Sequence, residues 1–214
     1  FKITGNKSRL MMEGSYYTVS PMSYYPDNYL IGAAGGLLLA EFGQNKLDTI
    51  GYLKGLNYSI RTICEDYFGN FWLGTNEDGL YQTNFFSGLN TSSVTTHYGA
   101  KEGLPEQYDW VDVFPSFHGV LFATSRGIYR YNYGINEFES DTLFGKNFTK
   151  SNMYLYPVVE DKDKNIWYSC VHEGRYERET GKMIFKGTNT KYVDFTKPFT
   201  QLREYVIETI YPEE

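Results

Sequence analysis

His172 and Glu173 are the two adjacent side chains that could begin a general acid–base pair, one giving a proton while the other accepts one. The other histidines, His97 and His118, lie far from them in the chain. Cys64 and Cys170 are 106 residues apart and have no metal-ligand spacing. No nucleophile elbow, Walker loop, dinucleotide-binding fingerprint, HExxH or CxxC occurs, so the sequence predicts neither a metal site nor a cofactor. Recognition without bond-making is better supplied. The chain holds 21 Tyr, 15 Phe and 3 Trp, and sugar faces stack on such rings while the tyrosine hydroxyl adds a hydrogen bond. Which of these residues can meet a ligand depends on the elements that carry them.

Those elements repeat. Asn70-Phe71-Trp72-Leu73-Gly74-Thr75 leads into Asp78-Gly79-Leu80-Tyr81, and Asn165-Ile166-Trp167-Tyr168-Ser169-Cys170 leads into Glu173-Gly174-Arg175-Tyr176. Two further copies run from Asn28 to Leu38 and from Gly119 to Tyr129. The glycines Gly36, Gly79, Gly127 and Gly174 are spaced by 43, 48 and 47 residues. Three consecutive apolar residues, as in Phe71-Trp72-Leu73, suit a strand buried on both faces. The next two positions are small in every copy, which predicts crowding by a neighbouring backbone. Ser59–Asp66 reads as the preceding strand, closed by an Asp66–Asn70 turn; Leu80–Asn84 reads as the third strand and Ser93–Tyr98 as the fourth. Trp110–Phe114 and Tyr156–Asp161 read as further first strands, Ile128–Tyr133 as a third, and Lys182–Lys186 as the fourth of the last copy. Four antiparallel strands per repeat of this length make a β-propeller blade. The expected fold is therefore all-β, with blades at about 12–53, 54–101, 102–150 and 151–200. Residues 201–214 would start a fifth: Phe199, Leu202, Val206 and Ile210 have helical spacing, but Val206-Ile207-Glu208 lies 48 residues after Val158-Val159-Glu160. Seven blades of about 46 residues need roughly 320 residues, so the chain reads as a partial segment of such a ring.

This architecture selects the candidate ligand residues. The turn between second and third strands and the linker between blades emerge at one end of a propeller, where ring ligands usually sit. Asn76, Glu77, Arg126, His172 and Glu173 fall in such turns, and Gln107, Tyr108 and Trp110 follow a linker. Their ordinary role would be that of solvated turn residues. Tyr129, Tyr131, Tyr133 and Tyr168 fall in strands, where packing between blades explains them better. Trp72 and Trp167 should both be buried between blades. Net charge is −6, with 20 Lys plus Arg against 26 Asp plus Glu, which argues against nucleic acid and against an anionic membrane surface. The longest apolar run, Leu30–Ala40, holds three glycines and is too short to cross a bilayer. The chain starts at Phe1 with no visible signal peptide and reads as a mature or excised piece. A partial ring should leave Phe1–Thr4 and Tyr205–Ile210 without partners.

The stretch Ile60-x-x-Ile63-x-Glu65-Asp66-x-x-Gly69-Asn70-Phe71-Trp72-Leu73-Gly74-Thr75-x-x-Asp78-Gly79-Leu80-Tyr81 resembles the two-component regulator propeller repeat. Val159-Glu160-Asp161-x-Asp163-x-Asn165-Ile166-Trp167 is a second match, and Gly103-Leu104-Pro105 resembles that family's linker. The copies with Leu30 and Leu121 in place of Trp depart from the pattern. The resemblance covers about residues 28–186. It implies a periplasmic sensor of a bacterial hybrid two-component regulator, with a membrane helix and a kinase elsewhere in the full-length protein. It also implies a small-molecule or oligosaccharide ligand, packing against the remaining blades of the same chain, and a homodimer in full-length form. This segment itself would make no membrane contact and catalyse nothing. Two alternatives stand beside it: a propeller lyase of the antibiotic-linearising type, which would need His172 and Glu173, and a cell-surface interaction propeller.

Overall fold

The computed structural model describes residues 2–4, 7–105, 110–142, 153–172, 178–186 and 189–194. The chain divides into two units, Phe1–His97 and Tyr98–Glu214. Each is a pair of four-stranded antiparallel sheets whose strands follow in chain order from one edge to the other.

In the first unit a small hairpin, β1 (Lys2–Thr4) and β2 (Lys7–Arg9), precedes the sheets. Sheet one is β3 (Tyr16–Met22), β4 (Tyr25–Ala33), β5 (Gly36–Gly43) and β6 (Lys46–Tyr52). Sheet two is β7 (Ile60–Glu65), β8 (Phe71–Thr75), β9 (Leu80–Thr83) and β10 (Thr95–Tyr98). In the second unit, sheet three is β11 (Asp112–Ser116), β12 (Gly119–Thr124), β13 (Gly127–Asn132) and β14 (Glu137–Ser140). Sheet four is β15 (Met153–Glu160), β16 (Ile166–His172), β17 (Arg178–Lys186) and β18 (Asn189–Asp194). Each sequence copy thus forms the second strand of a sheet, and these are propeller-type blades.

Within each unit one sheet packs its apolar face on the next. Leu30, Leu37 and Leu39 of sheet one meet Ile60, Phe71 and Leu73 of sheet two, with Leu53 and Leu56 of the linker between them. Phe114, Leu121 and Ile128 of sheet three likewise meet Leu155, Ile166 and Tyr168 of sheet four. Side chains alternate along a strand, so a strand with three apolar residues in a row feeds both faces. All five residues of β8 are buried, Trp72 completely. The small position after that triplet has the steric cause expected of it: a Cβ on Gly32 would come within 2.4 Å of the Ile60 carbonyl oxygen on β7.

Several expectations need correction. Trp167 is only part-buried: Ile166, Tyr168 and Cys170 take the core-facing side of β16, and its indole lies on the other face, where its counterpart Trp72 in β8 is fully covered. Tyr133 is exposed in the β13–β14 turn rather than packed in a strand. Lys182–Lys186 belongs to the third strand of sheet four, with β18 as the fourth, since Gly181 pairs with Tyr168 on one side and Asp194 on the other. Trp110 lies ahead of β11 rather than in it. Lys2–Thr4 does not lack a partner, for it pairs with Lys7–Arg9. Tyr205–Ile210 and the proposed fifth blade lie outside the described residues.

Candidate functional site

The repeat's polar residues are spent on building the sheets. Asp66 ends β7 and gathers its hairpin turn: its Oδ1 accepts from the backbone N–H groups of Phe68 and Asn70, both at 2.9 Å. Its Oδ2 accepts from Asn70 Nδ2 at 3.0 Å and Trp72 Nε1 at 3.0 Å. Asp161 repeats this with Asp163, Asn165 and Trp167. The preceding glutamate reaches the neighbouring sheet instead. Glu65 Oε2 accepts from the backbone N–H of Ser23 at 3.0 Å and its hydroxyl at 2.8 Å, both in the first turn of sheet one. Glu160 Oε2 accepts from the Phe117 N–H at 2.6 Å, in the first turn of sheet three. At the other end, Thr75 and Thr124 donate to the carbonyls of Gly79 and Gly127 and close the second turns.

That other end carries the candidate site. The β8–β9 turn holds Asn76, Glu77 and Asp78, with the Asp78 N–H bound to Thr75 Oγ1 at 3.0 Å. Glu77 points into solvent, and Asn76 Oδ1 is buried without a hydrogen-bond partner. Tyr81 returns beside the turn and donates its hydroxyl to Asp78 Oδ2. Its ring stacks on Tyr58 of the linker, with centroids 5.8 Å apart, and meets the His97 ring of β10 at 4.9 Å. His97 Nε2 lies 2.9 Å from the Asp78 carbonyl oxygen, which can only accept, so that nitrogen carries a proton. Burial, followed by the hydrogen bond to Asp78, pushes the Tyr81 phenol above its ordinary pKa and keeps it a donor. Tyr58 and His97 remain open to solvent. The result is a rim of two tyrosines, one imidazole and one carboxylate around a turn that also presents an amide and a second carboxylate. It can stack a ring and exchange hydrogen bonds.

The structure brings Asn76 and Glu77 together in this rim. Arg126 is exposed in the corresponding turn of sheet three, its N–H held by Thr124 Oγ1 at 3.1 Å. Trp110 lies at the same end of that sheet, its ring tilted against Tyr156 at 6.1 Å. His172 is the last residue of β16, paired with Met153, and so belongs to a strand rather than a turn. Gln107, Tyr108 and Glu173 lie outside the described residues. Sequence reasoning missed Tyr58, Asp78, Tyr81 and His97. The available signal was positional: Tyr81 follows the turn glycine by two residues, and Tyr58 precedes the first strand by two.

Residues 54–77 match the family model of the two component regulator propeller. The likeness to that family is confined to this stretch, 24 of the chain's 214 residues. Within the match lie Glu65, Asp66, Asn70, Trp72 and Thr75, the residues that build and join the sheets. This repeat is therefore a scaffold motif, and Tyr81 and His97 fall beyond its matched part. No curated protein matches the sequence. Among solved structures, the extracellular domain of a hybrid two component system from B. thetaiotaomicron is 16% identical, with a TM-score of 0.41. The alignment covers 84% of this chain and 31% of that one, so the chain spans about a third of that structure's length. Among the described residues, no helix is long and apolar enough to cross a membrane.

Proposed function

We propose that this chain is a ligand-sensing propeller segment of a bacterial two-component regulator, working on the periplasmic side of the inner membrane. The match of residues 54–77 to the regulator propeller family carries this reading. The segment binds and does no chemistry; the catalytic kinase belongs to another part of the full-length protein, which works as a homodimer. Remaining blades of the same chain pack against this segment. Its ligand is an oligosaccharide, met at the end of sheet two by Tyr58, Asn76, Glu77 and His97. Arg126 and Trp110 act at the matching end of sheet three, and His172, Glu173, Gln107 and Tyr108 complete the proposed set. Support for a sugar comes from the rim's chemistry: an exposed tyrosine face beside an amide, a carboxylate and an imidazole.

The test is a calorimetric screen of oligosaccharides against the full-length protein, followed by Tyr58→Ala and Glu77→Ala in a transcriptional reporter strain. Binding that disappears in both variants, together with lost reporter induction, is the expected result. Oligosaccharide binding that survives both substitutions would remove the ligand from this rim. A reporter indifferent to every sugar that binds would remove the sensor role.

A further inference from the structure

The opposite end of the first unit holds a pocket that the sensor reading does not use. Tyr24 from the β3–β4 turn, Tyr25 at the start of β4, Gly69 from the β7–β8 turn, and Phe85 and Phe86 after β9 line a cavity of about 180 Å³. Tyr25 is fixed by its hydroxyl, which donates to the Phe85 carbonyl at 3.1 Å. Tyr24 and Phe86 are 71% and 62% exposed, far above what apolar rings usually show. A Cβ built on Gly69 would meet the Tyr24 ring at 2.9 Å and the Phe86 ring at 3.0 Å, so both rings crowd the space over that glycine.

The internal repeat says what belongs there. The Glu65–Ser23 and Glu160–Phe117 hydrogen bonds align the two units position by position at this end. Gly69, third after Asp66, corresponds to Lys164, third after Asp161; both have positive φ, 81° and 64°. In the second unit Lys164 sends its Nζ to 5.7 Å from the centre of the Phe117 ring, an ammonium over an aromatic face. In the first unit the glycine provides no such group, and the Tyr24 and Phe86 rings lie over it instead. The local charge agrees: residues 22–28, 65–71 and 84–90 contain Asp27, Glu65 and Asp66 but no Lys or Arg. Rings that are negative on their faces, set among carboxylates, favour a cation with an apolar shell.

We propose that the pocket of Tyr24, Gly69 and Phe86 binds an organic ammonium ion against its two exposed rings, one residue along from Ser23, the counterpart of the Phe117 that Lys164 covers in the second unit. The cation stacks its methylene or methyl groups on the Tyr24 and Phe86 rings while Glu65 and Asp27 supply the field. This site is independent of any ligand at the Asn76–Asp78 end. It is tested on the full chain by titration calorimetry with two probes, choline and its neutral carbon isostere 3,3-dimethylbutan-1-ol. Choline should bind saturably, and the neutral isostere should bind about ten-fold more weakly, since it lacks the charge that an aromatic cage attracts. Tyr24→Ala, at an exposed side chain, should weaken choline to a similar degree. Gly69→Lys should abolish choline binding, because its Cβ and stem push the exposed Tyr24 and Phe86 rings aside and its own ammonium takes the cation's part. A melting temperature like that of the parent establishes that either variant is folded. Absence of saturable choline binding overturns the proposal, as does equal affinity for the isostere. Choline binding that is unchanged in folded Tyr24→Ala and Gly69→Lys overturns it as well.

Discussion

Asp66 accepts from four donor groups while sitting at the end of a strand, so its carboxylate organises the turn more than any packing contact there does. Replacing it by Ala strands the Trp72 indole N–H and two backbone N–H groups, a loss of about 2–4 kcal/mol. Asp161→Ala should fall in the same range, and urea unfolding of both variants measures it; a change below about 1 kcal/mol would show that water replaces the carboxylate without loss. Cys64 offers a second test at this scale. Burial, with help from Asp66 and Glu65, pushes its thiol from 9.0 up to about 12. Below pH 9 the thiol is protonated in both states and gives no slope. Above it only the unfolded thiol ionises, so stability falls by up to about 1.4 kcal/mol per pH unit until the folded thiol titrates. Between pH 8.5 and 10.5 the parent should therefore lose about 1–2 kcal/mol more than Cys64→Ala in urea titrations. Equal losses would mean that the thiol is not sealed. Asp66 as a turn former was legible from its Asx-Gly spacing. Its bond to Trp72 was not, because the indole's direction depends on which face of β8 the core claims.

At the scale of the element, the Glu-Asp pair at the end of a first strand works in two directions. Asp closes its own hairpin, and Glu crosses to the first turn of the sheet before it. Packing of apolar faces is non-directional and tolerates sliding, whereas the Glu65–Ser23 and Glu160–Phe117 bonds fix where one sheet stops against another. Glu65→Ala and Glu160→Ala should each cost about 1–3 kcal/mol, because a charged acceptor is lost from the N–H groups of the facing turn. Glu137→Ala, on the exposed edge strand β14, should stay within about 0.5 kcal/mol and serves as the control. Equal effects at all three positions would reduce the hook to an ordinary surface charge. Second strands were the most legible elements, since their apolar triplets and turn glycines recur at fixed spacing. The third and fourth strands of sheet four were not. Thr180-Gly181 carries a turn-like signal, yet the ladder runs through it, because pairing on both sides outweighs the weak local preference of a glycine.

For the molecule as a whole, the repeat count gave the architecture but not the fate of its first sheet. A blade has two apolar faces, and only one face of sheet one packs on sheet two. On its far face Ile31, Leu38 and Ala40 are buried, with Met12, Tyr16, Tyr29 and Leu47 packed against them. The segment ahead of β3 supplies part of this cover and is anchored by the Leu47 N–H, which donates to the Met11 carbonyl at 3.1 Å. Nothing in residues 1–14 repeats, so no period marks them as part of a core; only the unexplained apolar pair Met11-Met12 hints at it. Deleting residues 1–14 should uncover this face and leave a strip of Ile31, Leu38 and Ala40 open to water. The shortened chain should bind a hydrophobic dye more strongly than the parent and sediment as larger species at equal concentration. Met12→Ser should move the same way by a smaller amount, because it removes one covering side chain and keeps the Met11 backbone bond. If the deletion leaves both dye binding and sedimentation unchanged, the far face is held closed by β5 and β6 alone, and the leading segment is an appendage rather than a cap.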